Sequence, residues 1–248
     1  MKIDLIREQL DCCQVEYYEE IGSTNDRAMQ LAREGCAGPA LVIADHQSAG
    51  RGRRGGSWVA PAGTSVLCSY LLRLPAPLPP HHLAIISGLG VATGLRELGI
   101  AAMVKWPNDI ILGDHKVGGI LVETINDAVV IGLGLNCAIP ADAFPADCRL
   151  SPGSLHALAE GDHSRESVLV SAIVGLRATF DLYQKSGINK LLVAWNKISW
   201  LLRRKVRVTG PLGIVEGDGL FINARLQFDV FKDSGVVPMP LSSYVEAL

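Results

Sequence analysis

The chain has 248 residues, of which 48% are hydrophobic and 19% charged, and its formal net charge is −2. That composition describes a well-cored globular protein of one or two domains and excludes an intrinsically disordered chain. The near-neutral charge excludes a global basic field of the kind that advertises nucleic-acid binding. In chain order, residues 15–19 predict a short strand. Ser23 or Thr24 then caps a helix that reaches Arg33 and is ended by Gly35. Residues 40–45, an apolar run bounded by turn residues, predict a buried strand. Residues 65–74 predict another, which the proline-rich stretch 75–80 cannot continue. Residues 81–98 predict a largely buried helix whose Gly88, Gly90 and Gly94 suit close packing. Strands follow near 101–105, 109–112, 116–125 and 128–137. Leu169, Ile173, Leu176, Phe180 and Tyr183 recur at helical spacing on one face of a long helix, and residues 188–198 predict a further helical stretch. After Arg204, short alternating runs at 206–208, 213–215, 220–222 and 226–231 predict a small antiparallel β-domain.

The six cysteines, including the adjacent Cys12 and Cys13, show no C-x-x-C spacing. A zinc centre or disulfide framework is therefore not expected, and a reducing, cytoplasmic setting is. Residues 1–10 carry Lys2, Asp4, Arg7 and Glu8 and do not form a signal peptide. No run of 18 uninterrupted apolar residues occurs, so no membrane span is expected.

The stretch Gly50-Arg51-Gly52-Arg53-Arg54-Gly55-Gly56-Ser57-Trp58 does not predict a regular element. Glycine loses the most entropy on ordering, and three clustered arginines repel one another. An anion resolves both costs: arginine forks bond phosphate, glycine admits close backbone N–H groups, and Trp58 offers a flat face to a base. The alternative is a solvated basic connector. Three further groups are open to two readings each. Ser23-Thr24-Asn25 reads as a helix cap, or as hydroxyls and N–H groups meeting a polar ligand. In Lys105-Trp106-Pro107-Asn108-Asp109, a lysine at a buried strand end needs a negative partner, either Asp109 or a ligand. In Lys116-Val117-Gly118-Gly119-Ile120-Leu121-Val122-Glu123, paired glycines mark a bulge or the close approach of another group. Downstream, Asn136 closes Gly132-Leu133-Gly134-Leu135-Asn136 and either satisfies buried backbone or reaches a nucleotide.

Taken together, these segments resemble the biotin–protein ligase family: Ser23-Thr24-Asn25, Gln47, the Gly50–Trp58 loop, the Lys105–Asp109 and Lys116–Leu121 segments and residues 132–136, in the family's order across most of residues 15–140. The resemblance implies an α+β fold, with a mixed sheet packed by helices over residues 1–202 and a small SH3-like β-barrel over 203–248. It implies a ligase that activates biotin with ATP and Mg²⁺ as biotinyl-5′-AMP, then transfers biotin to a lysine of a biotin carboxyl carrier domain. It implies catalytic roles for Lys105, Arg51 and Arg53. Biotin is expected at Ser23, Thr24, Asn25, Gln47, Gly50, Arg51, Lys105 and Gly118, and the nucleotide at Arg53, Arg54, Trp58, Asn108 and Asn136. No protein-bound metal site is expected. Family members with a winged helix bind DNA; the catalytic pattern here begins within two dozen residues, so DNA binding is not expected. A homodimer is compatible with the family. A lipoate or octanoate ligase and a non-catalytic biotin- or nucleotide-binding module are the alternatives. A P-loop kinase is excluded by the absence of G-x-x-x-x-G-K-[ST].

Overall fold

The computed structural model describes residues 1–10, 14–146, 148, 150–211 and 213–248; Cys12 and Cys13 lie outside these. The elements are α1 (Ile3–Gln9), β1 (Gln14–Ile21), α2 (Thr24–Arg33), β2 (Ala40–Gln47), β3 (Ser65–Arg73), α3 (Pro80–Glu97), β4 (Met103–Lys105), β5 (Asp109–Leu112), β6 (His115–Ile125), β7 (Ala128–Asn136), α4 (Leu155–Leu158), α5 (Arg165–Lys197), β8 (Lys205–Gly210), β9 (Gly213–Ile222), β10 (Gln227–Lys232), β11 (Gly235–Pro240) and β12 (Tyr244–Ala247).

The first seven strands form one mixed sheet in the order β1-β2-β3-β7-β6-β5-β4, parallel only between β1 and β2. Alternation sends successive side chains to opposite faces. Val66, Cys68, Tyr70, Ile131, Leu133 and Leu135 join the large core shared with α3 and α5, while Leu71, Val130 and Ala128 pack on Ala28, Leu31 and Ala32 of α2. The second sheet is antiparallel, in the order β11-β10-β9-β8-β12. It matches the expected small barrel, although no ladder joins its end strands β11 and β12 among the described residues.

Several expectations need correcting. Ser23 holds the N-cap position of α2, yet its side chain makes no capping hydrogen bond. Gly35 does end α2: with φ +86° it lets the Cys36 N–H donate to the Leu31 carbonyl at 3.0 Å. α1 and α4, both short, were not expected, and neither were β11 and β12. The runs at 213–215 and 220–222 join as one strand, β9. Residues 169–183 and 188–198 form one helical element that breaks at Gly187 (φ 70°). Among the described residues, no helix is long and apolar enough to cross a membrane.

Candidate active site

The site lies on the α2 face of the large sheet. In β3, β7 and β6, Ser69 stands opposite Gly132 and Gly132 opposite Leu121; Leu67 stands opposite Gly134 and Gly134 opposite Gly119. All point to the same face. The three glycines therefore leave a trough where a sheet would ordinarily carry side chains. Asn25 and Trp58 fill it: a Cβ at Gly132 would collide with the Asn25 side chain, and one at Gly134 or Gly119 with the Trp58 ring.

The Gly50–Trp58 loop crosses above. Contrary to the sequence expectation it forms a small hairpin, with a bridge between Arg51 and Ser57, a 3-10 turn over Arg53–Gly55 and Trp58 N–H donating to the Gly50 carbonyl at 2.9 Å. Arg54 sits at its tip in the left-handed region (φ 56°), 5.7 Å from the Tyr244 ring centroid. Gly50 borders neither cavity described below; a Cβ there would collide with the Trp58 carbonyl.

Two cavities meet under this hairpin. The first, about 250 Å³, is lined at its inner end by Ser23, Thr24, Asn25 and Gln47 and along its length by Gly119, Ile120, Leu121, Gly132, Leu133 and Gly134. Gln47 Oε1 accepts from the Thr24 N–H (2.8 Å) and from Thr24 Oγ1 (3.0 Å). Its amide nitrogen remains available as a donor. The second cavity, about 620 Å³, is lined by Lys105, Trp106, Asn136, Phe144, Pro145, Leu150, Pro152 and residues 241–245, which lead into β12. Arg53, Trp58, Asn108, Asp109 and Lys116 border both. Arg53, Arg54, Lys105 and Lys116 face the second cavity, with Asp109 the one carboxylate among its described lining residues.

The lysines divide between the cavities in a way the sequence did not reveal. Lys105 is 5% exposed and borders only the second cavity. Its Nζ donates to the Val245 carbonyl at 3.1 Å and stands 3.7 Å from Asp109. Burial pushes its ammonium below the ordinary lysine value, with Asp109 opposing. Lys116 stands at the junction, Nζ 2.6 Å from Asp109. Between β5 and β6 the register shifts, because Ile110 faces Gly118 while Ile111 faces Lys116. Val117 is the extra residue. This bulge turns Lys116 onto the face of Gly119, whose Cβ would lie 3.7 Å from Lys116 Cε. Gly118 occupies the opposite face, against Leu135 and Ile110, and lines neither cavity; Gly119 replaces it as the glycine that borders the first.

The remaining expected residues are brought together. Arg53 Nη1 donates to Asn108 Oδ1 at 3.2 Å, and Asn108 Nδ2 to the Ile120 carbonyl at 2.9 Å. Burial and the charge of Arg54 push Arg53 below its ordinary value, the direction that an arriving anion would reverse. Asn136 lines the second cavity and donates to the Gly153 carbonyl at 3.0 Å, so it does satisfy backbone. Trp58 Nε1 is buried with no protein partner. Arg51 is committed to carboxylates: both Nη atoms reach Glu123 (3.0 and 2.8 Å), and Nη2 also reaches Asp26 (2.7 Å).

A narrow cavity with a polar inner end, opening past a lysine into a wide cationic one beneath a Gly-Arg hairpin, suits a protein that holds a small polar acid against a phosphorylated ligand. The model of the biotin/lipoate A/B protein ligase family matches residues 17–136. The biotin–[acetyl-CoA-carboxylase] ligase of Paracoccus denitrificans is 34% identical over 217 residues, covering 80% of this chain and 85% of that protein. The bifunctional ligase/repressor BirA of Salmonella typhimurium is 34% identical over 213 residues, covering 83% of this chain; the match spans 65% of that protein's length. Among solved structures, the biotin protein ligase from Aquifex aeolicus in complex with biotin and ATP shares the fold, with a TM-score of 0.83 over 95% of this chain and all of that one, at 21% identity. The chain belongs to the biotin/lipoate A/B protein ligase family.

Proposed function

We propose that the chain is an ATP-dependent biotin–protein ligase. The observation that carries this reading is the junction at Lys116, where a cavity with a polar inner end meets a cationic cavity of nucleotide size under the arginine hairpin. In the first step the biotin carboxylate attacks the α-phosphorus of MgATP; the Pα–O bond to pyrophosphate breaks and biotinyl-5′-AMP forms. In the second, the ε-amine of a carrier-domain lysine attacks the acyl carbon, the amine loses a proton and AMP leaves.

Ser23, Thr24, Asn25 and Gln47 supply donors and acceptors for the ureido ring. Leu121 and the backbone of Ile120 and Leu133 flank the ring and valeryl chain over the glycine trough. Lys116 lies where carboxylate and α-phosphate meet, so it takes the bridging role that the sequence alone suggested for Lys105. Lys105, Arg53 and Arg54 face the nucleotide phosphates, and Trp58 packs beside the adenylate. Such chemistry needs positioning and charge neutralisation more than covalent help. Mg²⁺ enters with ATP, held by phosphate oxygens and water; no group of three or more metal-ligating side chains occurs among the described residues. The acceptor is a carrier domain of a biotin-dependent carboxylase, and the chain divides into a catalytic unit, 1–202, and a small β-domain, 203–248. A lipoate ligase would gain nothing from the polar set around Gln47.

Purified protein with MgATP is expected to release pyrophosphate only when biotin is added, and a carrier domain is expected to gain one biotinyl group on lysine by intact mass. Equal release with lipoate, or without any acid, would remove the assignment. A second expectation concerns the hairpin. Its glycines make ordering costly, and Arg53 and Arg54 repel each other until an anion arrives. Trypsin should cut after Arg51, Arg53 or Arg54 rapidly in the free protein, more slowly with biotin and slowest with biotin and MgATP. Cleavage at one rate under all three conditions would show that the hairpin does not act as a lid.

A further inference from the structure

The polar groups of the first cavity form a run of close polar contacts that leads to the hairpin, the single Ser69 hydroxyl proton being shared between Thr24 and Asn25. Thr24 donates to Gln47. Ser69 Oγ lies 2.8 Å from Thr24 Oγ1 and 2.6 Å from Asn25 Oδ1. Asn25 Nδ2 donates to Glu123 Oε2 at 2.8 Å. Glu123 then accepts both Nη groups of Arg51. Glu123 is the one member that touches both the floor of the cavity, through Asn25, and the hairpin, through Arg51. It lines neither cavity itself.

We propose that Glu123 is a positioning residue: it fixes the rotamer of Asn25 and the plane of the Arg51 guanidinium together, so that the floor of the biotin cavity and its lid are held in one register. The proposal rests on the function given above for what the cavity binds. Three features carry it. The Arg51–Glu123 contact is a fork-to-fork pair, which fixes orientation as well as distance. The Asn25 amide orientation is set by Glu123: its nitrogen donates to the carboxylate, and a flipped amide would set its oxygen against that acceptor, whereas the Ser69 hydroxyl could serve either orientation. Asp26 supports Arg51 from the adjacent position on α2. Three of the five guanidinium N–H groups are thereby engaged, which leaves Nε–H and one Nη1–H for an anion.

The test is Glu123→Gln, alone and combined with Arg51→Gln. Glutamine cannot accept two guanidinium N–H groups and an amide at once. The single variant is expected to melt like the parent, because Glu123 is partly exposed. It should raise the KM for biotin roughly tenfold, a typical coupling between contacting groups, while kcat at saturating biotin changes less. In the ligand-free protein it should speed tryptic cleavage between Arg51 and Arg54. In the Arg51→Gln background, Glu123→Gln should add little to the nicking rate, which passes through Arg51, and to KM only the part that passes through Asn25. Additive effects of the two substitutions on nicking, or an unchanged KM and nicking rate in Glu123→Gln, would overturn the proposal. The nicking arm needs no ligand, so a parent protein that fails to bind biotin would sink the functional reading while leaving Glu123 tested. If Glu123→Gln lowers the melting point, Asp26→Asn on the exposed side of Arg51 replaces it: faster nicking there supports carboxylate control of the hairpin, and an unchanged rate counts against it.

Discussion

Lys116→Met is expected to lower biotin-dependent pyrophosphate release by roughly a hundredfold or more, corresponding to about 3 kcal/mol of lost charge stabilisation in the transition state. Methionine keeps the unbranched stem and removes the ammonium that stands between the cavities. Asp109 would retain Lys105 at 3.7 Å, so no carboxylate is left unpaired and the fold should hold. Lys105→Met makes the contrast. That residue borders only the second cavity, so on the proposed function its loss should appear first as a raised requirement for MgATP, with a smaller fall at saturation. Measuring pyrophosphate release against biotin and MgATP separately distinguishes the two. A Lys116 variant with near-parental release at saturating substrates would return the bridging role to Lys105 or to Arg53.

Gly94→Val is expected to destabilise the fold by about 3 kcal/mol or more, a fall in melting temperature of roughly 10 °C for a chain of this size. α3 and α5 cross with their backbones in contact. A Cβ at Gly94 would collide with the Ser171 carbonyl, one at Gly175 with the Gly90 carbonyl, and one at Gly90 would lie 2.8 Å from the Leu176 Cα. These neighbours are backbone, which cannot move aside as a side chain can. Forcing the helices apart would also strip contacts from the core they share with the sheet. Val174→Ser, at a half-exposed position of the facing helix α5, serves as the control and should melt near the parent. Thermal unfolding followed by circular dichroism decides; a Gly94→Val protein as stable as the parent would mean that the helix pair is not packed this closely in solution.

The chain's elements were legible wherever periodicity and breakers agree. Gly35, Pro80 and the alternation in β3 and β7 place their boundaries within a residue or two. The short helices carry too few residues for a period, and α1 and α4 were missed for that reason. The site was legible as a set of segments but not as an arrangement. Alternation alone groups Lys116 with Gly118 and against Gly119. The bulge at Val117 reverses this, and nothing in the local sequence announces a bulge whose cause is pairing with β5. The choice between Gly118 and Gly119 was recoverable in principle, since pairing with a strand that carries Gly132 and Gly134 puts Gly119 beside Gly134. The pairing of Arg51 with Glu123 spans 72 residues and depends on which strand lies beneath the hairpin. The part of the second sheet in the cavity was likewise invisible: Val245 meets Lys105 across 140 residues.

That last contact bears on how the protein is made. The wall of the second cavity formed by residues 241–245 is held by Lys105 on the Val245 carbonyl and by Trp106 Nε1 on the Leu241 carbonyl at 3.0 Å. During synthesis the large sheet can assemble as soon as β7 and the helices behind it have left the ribosome. Lys105 then waits, desolvated on one side and without its carbonyl, until the residues that follow α5 have emerged as far as Val245. A nascent or C-terminally clipped chain would thus present a cationic groove open along one flank, able to attract anions but not to enclose them. On the function proposed above, a chain lacking residues 241–245 would be expected to hold a nucleotide less tightly than the whole chain.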